Sequence, residues 1–539
     1  MRYQSAGRRR RRGHPGDESR AGHWRRLSRV KKAAYGCGAF VTVLVVVASL
    51  GAYVVYRHLT GNIKVVSVSG LTHRSIYGAQ NILLLGSQTR KGQGKGFGKN
   101  PSLNTSNSDN LLLVHLDPTH THALIVSIPR DTIVYEPGCK ARPTIGVGIW
   151  GPYQAAIIDG AMNIGGPSCA VKTVRDLTGL KLDHFVMFDF NSFRAMVDAI
   201  GGVEVCVPPS GYRDRWSGLH LSGGKHLLTY NQALAYVRTR HGVSAQGDVG
   251  GDLPRIELQQ AFISSIIQKV NSQGILSNSL QLLKIADTAT KALTVDQGMD
   301  SVSKLLGLAK SLIHLSAKHV TLLTMPTVPD PAQPGRLLPE QPQSDVIFQM
   351  MLGGQDWRHG LPTLPPGKVQ VKVLNATGVG GLAGRTAARL HKLGYDVVGV
   401  ANAVPASTTT VTYSGIVQAD SAYTLMTALK AAPAAQNLLA EPAPQAGTAG
   451  PVTLTLGSDF AGVKPPPAPS AGKSGHGKTG HGKTAKGGRG KAGGGSGSGG
   501  SGSGGSGGYG SPTFVQSRNA GASICSGLPA SNANSGSPP

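Results

Sequence analysis

Three short stretches of this sequence carry arginines in places where a fold has little use for them. In Ser127-Ile128-Pro129-Arg130-Asp131-Thr132 an arginine stands just beyond an apolar run, at the kind of strand end where α/β proteins hold ligands. Ala235-Tyr236-Val237-Arg238-Thr239-Arg240-His241 supplies two more. Arg255 and Gln259 are four residues apart, on one face of a helix. A guanidinium is planar, stays protonated at any relevant pH, and matches phosphate oxygens two at a time. Taken singly, each arginine reads as the surface partner of Asp109, Asp131, Asp248 or Asp252, because exposed ion pairs are common and weak. As a set converging on one site, they imply a polyanionic ligand.

The elements that must position these groups are legible from periodicity. Asn81 to Gly86 (NILLLG) is a continuous apolar run of the kind buried on both faces. A Gly-, Lys- and Asn-rich loop spans Gln88 to Ser108, and strands follow over Asn110 to Leu116 and Ala123 to Ile128, parted by the turn Asp117-Pro118-Thr119. Helical patterns then alternate with strands: helices over Gln154 to Ile164 and Ser168 to Leu177, a strand over His184 to Phe190, a helix over Ser192 to Ile200 and a strand over Val203 to Val207. Further helices are expected over Leu227 to Val237, Leu253 to Val270, Ile275 to Ala286 and Ser301 to Leu315, with a closing strand over His319 to Thr324. This alternation predicts an α/β fold around a central mixed sheet. From Val369 a second, smaller unit reads as β-α-β, with Val452 to Leu456 as a possible last strand. Gly378, Gly380 and Gly381 in that unit fit a turn better than a phosphate loop, since the spacing is not a dinucleotide fingerprint and no acidic ribose partner is evident.

The charge distribution narrows the partners. A formal net charge of +27 over 539 residues would suit nucleic acid. Much of the excess, however, sits in Arg8 to Arg12 with the basic residues up to Lys32, and in tail lysines such as Lys464, Lys473, Lys478 and Lys483. Ala33 to Tyr56 contains no charged residue; at about 1.5 Å per residue it reaches across a ~30 Å hydrocarbon core. Tyr53, Tyr56 and Arg57 at its end mark an uncleaved anchor rather than a signal peptide. Positive residues stay in the cytoplasm, so everything after Arg57 is expected outside, and the residues left inside are too few for a folded DNA reader. Cys37 falls in the span, whereas Cys139, Cys169, Cys206 and Cys525 face an oxidising space where disulfides form. No cysteine pair has metal-ligand spacing, and the pairing is open. Beyond Val463 the Pro/Ala, Lys/Gly/His and Gly/Ser segments cannot bury enough apolar area to order.

The ordered blocks NILLLGSQTR from Asn81, SDNLLLVHLDP from Ser108, SIPRDT from Ser127, MNIGGP from Met162, DHFVMFDFNSF from Asp183, GGVEVCVP from Gly201, ALAYVRTRHG from Ala233 and GDLPRIELQQ from Gly251 resemble the LytR-CpsA-Psr (LCP) phosphotransferases. VKVLNATGVGGLAGRTAARLHKLGYDV and VTLTLGSDFAG resemble the LytR C-terminal domain. The resemblance implies an LCP-type α/β sandwich holding a polyprenyl chain in an apolar tunnel, with the lipid's diphosphate at the mouth. It implies that Arg130, Arg238, Arg240 and Arg255 clamp the diphosphate beside Gln259. It further implies that Asp109 binds a catalytic Mg2+, and that Asp131 and Asp252 orient arginines, with Asp131 also the candidate base. Phe185, Met187, Phe193, Met196, Phe262 and Ile266 are candidates for the tunnel wall, though for each taken singly ordinary core packing is the favoured role.

The chain departs from the family pattern at three places: Gln88 where many members have a second metal-binding Asp, Asn107 where an Arg usually precedes the Ser-Asp pair, and Ile157 where a Lys is usual. An amide is a weaker magnesium ligand than a carboxylate. The expected organisation is a basic cytoplasmic segment (1–32), a transmembrane helix (33–56), a stalk (57–80), an LCP-like domain (81–327), a Pro-rich linker (328–367), a LytR C-terminal-like domain (368–462) and a disordered tail (463–539). The activity implied is magnesium-dependent transfer of a glycopolymer from a polyprenyl-diphosphate lipid to peptidoglycan at the cytoplasmic membrane, with no nucleic acid. The alternative is a non-catalytic, membrane-anchored binder of polyprenyl phosphate or cell wall.

Overall fold

The computed structural model describes residues 29–74, 78–87, 108–135, 138–139, 155–240, 243–244, 247–248, 252–272, 279–312, 315–353, 361–437, 450–465, 517–523 and 525. Two units are distinguished, 1–62 and 63–539.

The first is the helix Arg29–Asn62. From Ala33 it is long and apolar enough to cross a membrane, and none of its most apolar stretch is buried against protein. It runs past Tyr56, so part of the expected stalk is helix, and the strand Lys64–Val66 follows at once.

The second unit is built on an eight-stranded mixed sheet. Its centre is the strand Gln80–Ser87, antiparallel to Ser108–Leu116 on one side and parallel to His184–Phe188 on the other. Ala123–Ile128 continues the sheet beside Ser108–Leu116, with Val320–Thr324 parallel beyond it. Thr294–Asp296 and Lys64–Val66 complete the opposite side. Alternation along the strands divides their side chains between two faces. Leu83, Leu85, Leu111, Leu113, Val126 and Phe185 enter one cluster with the helix Pro167–Thr178, and all are essentially inaccessible. Ile82, Leu112, Ile125 and Leu322 enter another on the opposite face, toward the helix Asp252–Ser272. Phe185 and Met187 therefore belong to the first cluster and not to the tunnel wall, because they share the parity of Leu83 and Leu85 across the strand pair.

Two expected helices begin differently. Residues 155–157 form a short strand before a 3₁₀ turn and the helix Ala161–Gly165. Gly224–Leu228 is a strand paired with Val203–Val207, and the helix starts only at Tyr230.

The smaller unit has a five-stranded sheet in which Gln370–Asn375 lies parallel to Asp396–Asn402 and to Val452–Leu456. The helix Leu382–Lys392 makes the β-α-β crossover. Before that helix, the Asn375 amide donates to the Val379 carbonyl (2.9 Å) while its Oδ1 accepts from the Thr377 N–H (3.1 Å). Side-chain capping of this kind makes a turn, and Gly378 at φ 75° and Gly381 at φ 69° supply its left-handed positions.

The Pro-rich stretch between the two domains is not a linker. It forms the hairpin Thr327–Pro329 with Leu337–Pro339 and then the helix Gln343–Gly353. That helix places Ile347, Phe348 and Met351 in the larger core and Val346 in the smaller. The Tyr413 hydroxyl donates to buried Asp345 at 2.7 Å across the same seam. Gly179, at φ 64°, would carry a Cβ only 2.9 Å from Ile416, so the close approach also requires glycine.

Among the described residues of the expected disordered tail, Val463 is buried and bridges Leu429, and a strand forms farther on. Ser517–Asn519 adds antiparallel to Val320–Thr324 as the outermost strand, Ala520 is fully buried, and Gln268 donates to the carbonyls of Ala520 (2.6 Å) and Ala522 (2.8 Å). Cys525 is bonded to Cys206, and Cys139 to Cys169. Composition hid this strand because its apolar contribution is a single small side chain and its docking otherwise rests on hydrogen bonds and a disulfide.

Candidate functional site

Arg130 sits in the turn after the strand Ala123–Ile128, where the Thr132 N–H and hydroxyl both donate to the Pro129 carbonyl at 3.1 and 2.7 Å. The Ile158 N–H donates to Thr132 and that of Asp159 to the Arg130 carbonyl, so a neighbouring 3₁₀ turn braces the loop. Asp131 Oδ1 receives the Arg336 guanidinium at 2.8 Å, and its Oδ2 lies 3.5 Å from Arg130 Nε. Asp131 thus joins two arginines and is not among the cavity-lining residues.

Arg238 ends the helix Tyr230–Arg238, with its guanidinium carbon 4.9 Å from the Phe190 ring centroid. Two residues on, the Arg240 N–H donates to Asp214 Oδ2 at 3.1 Å. Arg255 is 3% exposed, and one turn along its helix the Gln259 amide donates to the Val237 carbonyl at 3.0 Å, fastening the two helices together. Beneath them Tyr236 is buried between Tyr212 and Phe262. Burial, with Tyr212 adding to it and Arg518 opposing, pushes its hydroxyl far above the usual range, so it stays protonated.

Arg130, Arg238, Arg240, Arg255 and Gln259 all line one cavity of 670 Å³. The rest of its wall is mostly apolar: Leu84, Leu112, Val114 and Ile125 from the sheet face, with Phe193, Met196, Phe262 and Ile266 from the helices above. The last four are expected wall residues that the fold does bring together. Four arginines and a glutamine on a mostly apolar wall can hold an amphiphile, an anionic head joined to an apolar tail.

Of the expected metal ligands, Gln88 and the side chain of Asp109 lie outside the described residues, as does the side chain of Asp252. The backbone of Asp109 is informative. Gly86 pairs with Asn110 and Ser87 with Ser108, so Asp109 is the extra residue of a β-bulge. Ser87 and Asn110 on either side of it line the cavity. Bulges of this kind re-aim a residue beside functional sites.

Sequence reasoning missed Arg336, Phe190, Asp214 and Trp216. Asp214 had a signal, being an acid in a short charged turn, but its partner Arg240 is distant in sequence. A separate group, His73, His184 and Asp296, could offer ligands to a metal. Asp296 already accepts from His73 (3.1 Å), His184 (3.3 Å) and the N–H groups of Phe185 (2.9 Å) and Gly298 (2.5 Å). Burial alone would raise its pKa. The bonds from His184, Phe185 and Gly298 outweigh that and hold the carboxyl below the usual range. This set is a structural clasp.

The profile of the LytR_cpsA_psr family matches residues 56–345, and that described as LytR cell envelope-related transcriptional attenuator matches 368–460. The cell wall biosynthesis protein LcpA of Corynebacterium glutamicum is 30% identical over 404 residues, covering 68% of this chain and 76% of the relative. The polyisoprenyl-teichoic acid–peptidoglycan teichoic acid transferase TagV of Bacillus subtilis is 29% identical over 269 residues, 47% of this chain and 61% of TagV. Among solved structures, a LytR-Csp2A-Psr enzyme from Actinomyces oris aligns with 24% identity and a TM-score of 0.41, over 54% of this chain and 96% of that one.

Proposed function

Since the chain belongs to the LytR-CpsA-Psr family, we propose that it transfers a glycopolymer from a polyprenyl-diphosphate carrier to peptidoglycan, leaving a phosphodiester link. The observation that carries this reading is the convergence of Arg130, Arg238, Arg240, Arg255 and Gln259 on one mostly apolar cavity. A polyprenyl tail gains about 0.8 kcal/mol for each CH2 it buries. The diphosphate then meets the arginines, which donate to its oxygens in bidentate fashion. Relatives named for teichoic acid transfer to peptidoglycan support the same reading.

In this mechanism a wall hydroxyl, on a muramic acid residue, attacks the phosphorus that carries the sugar. The bond from that phosphorus to the bridging oxygen breaks, polyprenyl phosphate leaves, and the hydroxyl proton passes to the departing phosphate or to water. Charge gathers on the departing phosphate, where fixed guanidinium groups in a dry site stabilise it without reorganising. Buried Arg255 acts in the lowest dielectric and so most strongly. Asp131 keeps Arg130 aimed and is a positioning residue.

A magnesium ion, when bound, adds neutralising charge at the phosphates. Asp109, at the bulge beside the cavity, would hold it with Gln88. One carboxylate is enough where substrate phosphates complete the shell. The helix Arg29–Asn62 anchors the chain in the cytoplasmic membrane with its Arg-rich end inside and the remainder outside. Two disulfides fit that compartment.

Incubating the full chain in detergent with a polyprenyl-diphosphate-linked glycan, magnesium and peptidoglycan should release polyprenyl monophosphate. Arg130→Ala should lower the rate about 100-fold; equal release by wild type and variant overturns the assignment. Gln88 favours one second reading, a binder without turnover. Gln88→Asp separates the two: it raises the rate if the metal site is merely weak, and yields no turnover if the protein only binds.

A further inference from the structure

We infer that Trp216, with the turn that carries it, forms a carbohydrate subsite at the mouth of the cavity, where the sugar ring next to the reacting phosphate stacks on the indole. The inference rests on the phosphotransferase reading above and specifies what lies beyond the phosphate.

Trp216 lines the cavity and yet is 72% exposed. Leaving the largest apolar side chain in water forgoes most of its burial energy, so its place on a rigid support needs another reason. The support is rigid. Trp216 lies in the turn between the strands Tyr212–Asp214 and Leu219–Leu221. Asp214, 2% exposed, accepts from the Trp216 N–H at 2.8 Å through Oδ1 and from the Arg240 N–H at 3.1 Å through Oδ2. The Ser217 and Thr239 hydroxyls bond at 2.9 Å across the same gap. One buried carboxylate therefore fixes the backbone that carries the indole relative to the backbone that carries a clamp arginine.

The position selects the ligand. A lipid tail occupies the apolar depth and its phosphates meet the arginines, so whatever continues outward from the phosphate passes the exposed rim. On this donor that continuation is a sugar. A pyranose face presents C–H groups of slightly positive charge, which complement the negative face of an aromatic ring. The Arg215 guanidinium lies over one face of the Trp216 ring, 4.7 Å from its centroid, so the sugar stacks on the other face while the guanidinium N–H groups donate to hydroxyls at its edge. The same chemistry would suit a sugar of the wall acceptor, and the experiment below separates the two sources.

Binding is measured with the full chain in detergent micelles, using three probes: a polyprenyl diphosphate bearing one N-acetylhexosamine, polyprenyl monophosphate, and soluble peptidoglycan glycan strands. Trp216→Ala should weaken the sugar-bearing lipid about tenfold and leave the sugarless one unchanged, and Trp216→Phe should retain most of the affinity. If Trp216→Ala instead spares both lipids but weakens binding to soluble peptidoglycan glycan strands, the subsite takes the acceptor sugar. Equal loss for both lipids, or no loss for any probe, overturns the subsite alone. Wild type that binds neither lipid overturns the phosphotransferase reading and the subsite with it.

Discussion

The two faces of the central sheet are made of the same residues and do opposite things. On one, Leu83, Leu85, Leu111 and Leu113 are sealed beneath the helix Pro167–Thr178. On the other, Leu84, Leu112, Val114 and Ile125 look into a 670 Å³ cavity. Neighbours in one strand are thus core and wall alternately. An apolar wall only partly covered by protein has lost some dispersion contacts and burial, a cost that a polyprenyl guest restores. The comparison teaches that hydrophobicity locates the layers, and that only the helices above a face decide whether it closes.

Variants can break this contrast, the most severe at its polar end. Arg255→Ala removes a buried charge from the cavity and should lower transfer by about 100- to 1,000-fold in a polyprenyl phosphate release assay. Arg255→Lys should recover only part, since an ammonium cannot bind two oxygens at once. Next are adjacent leucines. Leu83→Ala should cost about 2–5 kcal/mol in urea unfolding of the detergent-solubilised chain, as buried leucines do. Leu84→Ala should cost about 1 kcal/mol or less, because part of its surface already faces a void, and should show its effect in lipid affinity instead. Equal costs would erase the distinction between the faces.

The sealed side also has a titrating anchor. Asp296, held below the usual carboxylate range, contributes stability that is fully present above about pH 4 and is lost as the pH falls through its folded value. Thermal melts should therefore show Asp296→Asn less stable near neutrality and with a flatter profile below about pH 4. The smallest change concerns the sheet edge. Cys525→Ser should speed hydrogen exchange in Ser517–Asn519 while transfer stays within about twofold.

Much of the fold was legible because NILLLG and its neighbours announce buried strands, and the arginine blocks announced an anion site that the fold gathers. The cavity itself was not legible, since Leu83 and Leu84 are the same residue type in the same run. For the same reason the sequence leaves Phe185 a candidate for the wall while favouring core packing, and strand parity decides for the core. The helix Gln343–Gly353 was hidden behind a Pro-rich approach that in fact turns the chain into a hairpin. Trp216 and Asp214 had no periodicity to mark them, because their significance is a tertiary link to Arg240.

The central claim is that the open face of the sheet is a lipid site, and filling it is the direct test. Val114→Phe adds an aromatic ring into the cavity from a strand that already tolerates a side chain there. Native mass spectrometry of the full chain with polyprenyl monophosphate should show one lipid bound to wild type and almost none bound to Val114→Phe at an unchanged melting temperature. Undiminished lipid binding by Val114→Phe would contradict the account.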